Sequence, residues 1–338
     1  MTLKKVEDVK ELQIGLTTRC TGSCKFCFRM ELIKRYQWNG YPVVDIDTKH
    51  LFKVIDSLPN LQNIILIGNK GEVVCHPDIK NIIKGLKSRP KIKRIYMATN
   101  GASKERIFWR WLGSILGDND KVVFAIDGLQ DTHHIYRKSK FDTVFDNMVE
   151  FIKGGGNAWW QFIVFKHNQH QIEGARKLAK AVGCRQFIVM VSRAYDDEFE
   201  RPVDCDEISQ KTKFELALER VNDRKVSCEA KINGRIYMTT NGLLFPCCRM
   251  ACFYSEEMYR DPQQLSSKIL ASQSRRIIST YRHSVEEILN SDFFRRTFDH
   301  LDDEFTDNPV TGVEYTCWRF CRFMDYQKQN IRREEKLC

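Results

Sequence analysis

Leu12-Gln13-Ile14-Gly15-Leu16-Thr17-Thr18-Arg19-Cys20-Thr21-Gly22-Ser23-Cys24-Lys25-Phe26-Cys27-Phe28-Arg29-Met30 is the stretch whose reading decides the fold. Residues 12–16 alternate like a strand, and three cysteines spaced C-x3-C-x2-C follow at once. A tight loop leaving a strand can wrap three thiolates around one centre, and Gly22 lets the backbone bend inside it. A [4Fe–4S] cube normally takes four cysteines, so three local ones leave one iron open to a small molecule. The alternative is a zinc knuckle built from two or three of these thiols and a distant ligand.

Downstream, the pattern predicts helices over residues 30–38 and 47–58, the second ended by Pro59-Asn60. Residues 63–68 are continuously apolar, as in a buried parallel strand. Helices at 78–88, 103–115, 141–153 and 169–182 then alternate with strands at 94–99, 121–126, 159–166 and 186–191. Six strands separated by helices over the first 190 residues or so mean an α/β fold, a parallel sheet with crossover helices. Periodicity leaves an open doubly wound sheet and a barrel equally possible. Cys20, Gly71-Glu72, Asn100 and Asp127 all fall just after strands, which favours a barrel with one reactive mouth.

The alternation stops at a charged stretch, residues 194–206, expected as a linker between a barrel domain (1–195) and a cysteine-rich α+β domain (196–338). In the second part, residues 235–240 read as a strand turning through Asn241-Gly242, a type I′ signal, into 243–245. Short helices are expected at 284–289 and 292–300, while 263–278 shows no readable period.

Two further elements carry chemistry. In Gly68-Asn69-Lys70-Gly71-Glu72-Val73, glycine admits a ligand close to the backbone and Glu72 can hold an ammonium group. Asp127, followed by Gly128, can bond both hydroxyls of a ribose. His133 and His134 lack metal-spaced partners and read as structural. The cysteine spacing, Phe26 before the third cysteine, Gly71-Glu72 and the Asp127-Gly128…His…Arg137 run together resemble the radical S-adenosylmethionine (SAM) superfamily. That resemblance implies a partial (β/α)6 TIM-like barrel whose open iron is chelated by the amino and carboxylate groups of SAM. It implies Cys20, Cys24 and Cys27 as cluster ligands. It also implies SAM contacts from Phe26, Gly71, Glu72 and Asn100, a ribose contact from Asp127 and a carboxylate contact from Arg137. Lys70 and Val73 depart from the glycine and proline common beside the family's Gly-Glu pair.

Cys228, thirteen residues, Gly242, four residues and Cys247 form C-x13-G-x4-C, and Cys317 and Cys321 form C-x3-C. These resemble the SPASM and twitch extensions of radical SAM proteins, which hold auxiliary iron–sulfur clusters; a zinc ribbon is the alternative. The full two-cluster pattern needs a C-x2-C pair before Cys317, and residues 307–312 hold no thiol. The resemblance therefore implies one auxiliary [4Fe–4S] cluster on Cys228, Cys247, Cys317 and Cys321, with Cys248, Cys252 and Cys338 unassigned.

The 338 residues are 42% hydrophobic and include thirteen cysteines, an odd count that argues against a pure disulfide framework. No apolar run long enough to span a membrane and no signal peptide is present, so a cytoplasmic protein is expected. The net charge of +10 includes Lys84, Lys87, Arg89, Lys91, Lys93 and Arg94, read as a solvated helix end and turn. No nucleic-acid module accompanies it, and nucleic acid is not an expected partner. The expected function is hydrogen abstraction by a SAM-derived radical for dehydrogenation of a small molecule. Peptide modification and a non-catalytic zinc or iron–sulfur module are the alternatives. The first strand begins about ten residues from Met1, which weakens the peptide reading because no precursor-binding domain fits ahead of it. Flavodoxin or ferredoxin is the expected electron donor.

Overall fold

The computed structural model describes residues 3, 5–35, 37–192, 194–203, 228–253, 277–299 and 335–336. Strand β1 (Glu11–Ile14) leads through the cysteine loop into α1 (Phe28–Arg35) and α2 (Thr48–Asp56). Then follow β2 (Asn63–Leu66), α3 (Ile79–Lys87), β3 (Arg94–Thr99), α4 (Arg106–Ile115) and β4 (Lys121–Ala125). The barrel part ends with α5 (His133–Arg137), α6 (Phe141–Lys153), β5 (Ala158–Val164), α7 (Ile172–Ala181) and β6 (Gln186–Val191).

β1 to β6 pair in sequence order, every neighbour parallel. That order decides between the two architectures left open by periodicity. A doubly wound sheet reverses its strand order at a switch point. Right-handed crossovers that always advance in one direction put their helices on one face, and the twisted sheet curls towards a barrel. It does not close, because the free edge of β1 pairs not with β6 but with β7 (Arg235–Met238), again in parallel. The wall is a partial barrel.

β7 is preceded by α8 (Glu229–Asn233) and turns into the antiparallel β8 (Leu244–Phe245), followed by α9 (Cys248–Phe253). The hairpin forms where expected, but its turn is not type I′. Only Gly242 has a positive φ, +73°. Gly242 N–H donates to the Thr239 carbonyl and Thr239 N–H to that of Leu243, so a three-residue loop ends in a left-handed glycine. Helices α10 (Val285–Leu289), with a Ser284–Glu287 capping box, and α11 (Asp292–Asp299) follow. β9 (Glu335–Lys336) pairs antiparallel with the outer edge of β6.

The core is apolar and aromatic: Trp109, Phe124, Phe151, Trp160, Phe162 and Phe187 are all fully buried between sheet and helices. Half of the expected basic cluster, Lys87, Arg89 and Lys91, is engaged within the molecule, while Lys84, Lys93 and Arg94 are exposed. Arg89 makes two bonds to Asp56, at 2.7 and 2.8 Å, and Lys87 lies 2.6 Å from buried Asp120. Lys91 donates to the carbonyls of Ile55 and Leu58 at the end of α2. No helix among the described residues is long and apolar enough to cross a membrane.

Candidate active site

The C-terminal ends of the strands supply one side chain or loop each to a common mouth. Behind β1 the cysteine loop is pinned on its inner side. Thr18 Oγ1 donates to the Pro42 carbonyl and accepts from Val44 N–H, each at 2.7 Å, while Arg19 forks onto Asp45 at 2.9–3.1 Å. From the β2 side, Gly71 presses against the same loop: a Cβ there would lie 2.1 Å from the Thr17 carbonyl oxygen. The neighbouring Glu72 N–H donates to the Arg19 carbonyl at 2.7 Å. Only glycine permits that approach.

Glu72 is buried, and its carboxylate is already engaged. It accepts from Thr99 Oγ1 and Asn100 N–H, both at 2.7 Å, and from Val74 N–H. Burial pushes its pKa up while those donors oppose the rise. It thus joins the ends of β2 and β3, and Asn100 in turn points its amide nitrogen at Cys20 Sγ, 3.8 Å away.

Asp127, fully buried at the end of β4, is ion-paired with Arg137 from α5 and accepts from Ile163 N–H at 2.7 Å. Burial pushes the Asp127 pKa up. Burial also works against the Arg137 charge, but Asp127 and Cys24 beside it outweigh that and raise its pKa. The guanidinium stays charged, so the pair is ionic. The two residues expected to meet different parts of SAM are therefore brought together and hold one another. His133 fixes the backbone beneath them: its Nδ1 accepts from Asp127 N–H at 3.2 Å and its Nε2 faces Ser139 Oγ at 3.0 Å. The neutral Nε2–H tautomer satisfies both contacts. Burial, with Arg137 and His134 nearby, pushes its pKa down to about 3.

Cys20, Cys24 and Cys27 are free and half-buried. Gly22 N–H donates to Cys20 Sγ at 3.3 Å. Burial pushes the Cys20 thiol up to about 12 and raises Cys24 as well, so these sulfurs ionise readily only against a metal's positive charge. Among the described residues no three His, Cys, Asp or Glu side chains converge on a point that one ion could fill. Three thiols on one loop at a strand end, with a backbone donor to sulfur, fit a cluster that spreads its ligands over several irons.

Sequence reasoning missed an aromatic nest on the outer side of the loop. Phe26 lies 6.2, 6.4 and 5.8 Å from the ring centres of Tyr136, Phe165 and Phe199. His167 stacks on Phe165, and its buried Nε2 has no hydrogen-bond partner among the described residues. Phe199 fills the middle of the nest, 5.3–5.8 Å from the rings of Phe26, Tyr136, Phe165 and His167. The only sequence signal was that Phe199 interrupts an acidic stretch.

Also missed was a cavity of about 260 Å³ between the start of the cysteine loop and the β7–β8 hairpin. Thr17, Thr18, Trp38, Tyr41, Tyr237 and Thr240 line it. Of the expected auxiliary ligands, Cys228 is buried at the start of α8, where its sulfur accepts from Lys231 N–H. Cys247 precedes α9, and its sulfur accepts from Met250 N–H. Cys317 and Cys321 lie outside the described residues.

Residues 14–179 match the family model described as the radical SAM superfamily. No curated protein sequence matches the chain. The fold is similar to that of Streptococcus suis SuiB bound to S-adenosylmethionine, with a TM-score of 0.63 at 15% identity over 98% of this chain and 77% of that one. SuiB bound to precursor peptide SuiA gives 0.59 at 15% identity, covering 99% and 77%. Native anSMEcpe with bound AdoMet gives 0.57 at 11% identity, covering 95% and 98%. At these identities the likeness is one of fold. A strand-end loop of three free thiols, on a partial barrel whose residues 14–179 match that family model, makes this chain a radical SAM enzyme, a member of the radical SAM superfamily.

Proposed function

We propose that the enzyme dehydrogenates a small molecule held in the cavity between the cysteine loop and the β7–β8 hairpin. A [4Fe–4S] cluster held by Cys20, Cys24 and Cys27 would, with SAM, supply a 5′-deoxyadenosyl radical to take one substrate hydrogen atom, and the auxiliary cluster would accept the second electron while a proton leaves to solvent. The chain's own residues place the reactants. Phe26 and Asn100 stand beside the cysteines to contact SAM, Arg137 faces the SAM carboxylate, and Asp127 holds Arg137 in place. Gly71 and Glu72 set the distance between the β2 end and the cysteine loop.

The observation that carries the reading is the cavity itself. Its Thr17 and Thr18 lie just ahead of Cys20, and its lining combines polar Asn69, Thr240 and Asn241 with aromatic Trp38, Tyr41 and Tyr237. Such a lining suits a polyhydroxylated ring, and the volume fits a small molecule. A peptide side chain entering the same cavity is the second reading, favoured by the likeness in fold to SuiB bound to a precursor peptide and to anSMEcpe bound to AdoMet and Cp18Cys peptide. The idea of a non-catalytic zinc or iron–sulfur module gives way to the family assignment.

The same proposal includes a SPASM/twitch-type extension in residues 196–338, joined to the barrel through β7, with one auxiliary cluster on Cys228, Cys247, Cys317 and Cys321. The proposal also takes in a reducing, cytoplasmic setting and a flavodoxin or ferredoxin donor.

Anaerobically reconstituted enzyme with a strong reductant is expected to convert SAM to 5′-deoxyadenosine, and alanine at Cys20, Cys24 and Cys27 to abolish it while the chain still folds. Equal product from the triple variant would sink the cluster assignment. Deuterium transfer into 5′-deoxyadenosine from labelled sugars or aminocyclitols supports the first substrate reading; transfer only from labelled peptides supports the second.

A further inference from the structure

The cysteine loop is also fastened from outside, by the acidic segment that leaves β6. Lys25, between the second and third cysteines, puts its Nζ 2.7 Å from Asp196 and 2.6 Å from Glu198, and 5.3 Å from the centre of the Phe199 ring. Phe199 is fully buried, 5.8 Å from Phe26 and 5.3 Å from Phe165. The segment is shaped by Asp196, whose Oδ1 accepts from the N–H groups of Glu198 and Phe199. It is tied down beyond the ring as well. Lys166 N–H donates to the Glu200 carbonyl at 3.0 Å, and Gln169 makes a reciprocal pair of bonds with the Val203 backbone at 2.7 and 2.8 Å.

We propose that residues 194–203 are a clasp whose Phe199 anchor and acidic grip on Lys25 position the cysteine loop and slow its loss of iron. This rests on the reading of Cys20, Cys24 and Cys27 as cluster ligands. The inner side of the loop is pinned up to Thr21, whose hydroxyl lies 3.1 Å from that of Ser103, and α1 takes over at Phe28. Between them Cys24 Sγ makes one long contact, 3.9 Å to the Arg137 carbonyl, so residues 24–27 lean mainly on the outer contacts of Lys25 and Phe26. Phe199 gives the clasp its binding energy through burial. The Lys25 contacts are 38% to 57% exposed, so they add little to global stability. A weak local contact acts on local opening, and opening of this loop is the step that exposes iron to a chelator. Lys25 is a positioning residue, and its effect fades as salt screens it.

The test uses reconstituted holoenzyme without SAM, Lys25→Met, the Asp196→Asn/Glu198→Gln pair and Lys25→Arg. Iron release to a strong chelator is expected to quicken about two- to five-fold in the first two variants, with an unchanged melting temperature, and to return to normal in Lys25→Arg. Wild-type release should quicken with added potassium chloride, while release from Lys25→Met should not. In cluster-free protein, amides of residues 20–27 should exchange faster in Lys25→Met than in wild type. Release and exchange at wild-type rates in both variants overturn the clasp, as does faster release that merely tracks a lower melting temperature. If wild type takes up no iron that depends on the three cysteines, the cluster reading fails, and amide exchange in the apo-protein still decides the clasp.

Discussion

Asp127 shows how much a single buried side chain can change the meaning of a motif. Read from sequence it is a ribose ligand; in the structure its carboxylate also pairs with Arg137 and accepts from Ile163 N–H, which gives it a structural role beside the expected one. Asp127→Asn should therefore leave a buried guanidinium unpaired and cost about 3 kcal/mol or more of folding stability, alongside weaker SAM binding. Urea unfolding and calorimetry on the same variant check both; weaker binding with intact stability would leave Asp127 the ligand role alone. His133 gives a pH signature. Its folded pKa of about 3 lies below the ordinary histidine value, so burial of the neutral ring adds nothing above pH 6.5 to the pH dependence. As pH falls below 6.5, the unfolded chain takes up the proton that the folded one refuses. By pH 5 that should remove about 2 kcal/mol of stability, measured as a falling urea midpoint. His133→Gln should flatten the fall, with a lower midpoint throughout.

At the scale of elements, boundaries were legible wherever one physical signal was strong. β3, α6 and β6 run over the residues their periodicity predicts, α6 ending at Gly154. The helix after the cysteines begins at Phe28, ahead of the expected 30, because the Cys27 carbonyl accepts from Met30 and Glu31 N–H and so starts it. Asn241-Gly242 announced a hairpin but not its turn, since the Thr239 side chain bonds Leu243 N–H and Asn241 and favours the three-residue loop. Gly71 was legible as a glycine that something approaches, though not that the approaching group is the Thr17 carbonyl. Gly71→Ala should push the cysteine loop out of place and sharply lower iron uptake. Gly40→Ala, where φ is +97° and no atom lies within 4 Å of the added carbon, should cost only the left-handed strain of about 1–2 kcal/mol. Iron content and melting temperature of the two variants should separate these effects; equal iron loss would remove the close-approach argument.

For the whole molecule, the consecutive β/α rhythm was enough to give a parallel sheet, and strand-end chemistry pointed to one mouth. What stayed hidden were contacts between distant residues: Phe199 with Phe26, and β7 with β1. Nothing local marks such partners. If the extension carries one auxiliary cluster, fully reconstituted enzyme should hold about eight irons, and alanine at Cys20, Cys24 and Cys27 should halve that. A reproducible value near twelve would require a third cluster. The pairing of β7 with β1 also sets an order of events during synthesis. The backbone bonds that Lys10, Glu11 and Gly15 give to Gly234 and Met238, and the Glu11–Arg235 ion pair, join the start of the barrel to a strand made more than two hundred residues later. Until that strand leaves the ribosome, the nascent chain carries a bare, apolar template at Leu12 and Ile14, open to another chain's strand. Ending translation at residue 203 should thus yield a product that precipitates or co-purifies with chaperones, whereas ending it at 253 should restore solubility, because the ladder on β1 is then complete.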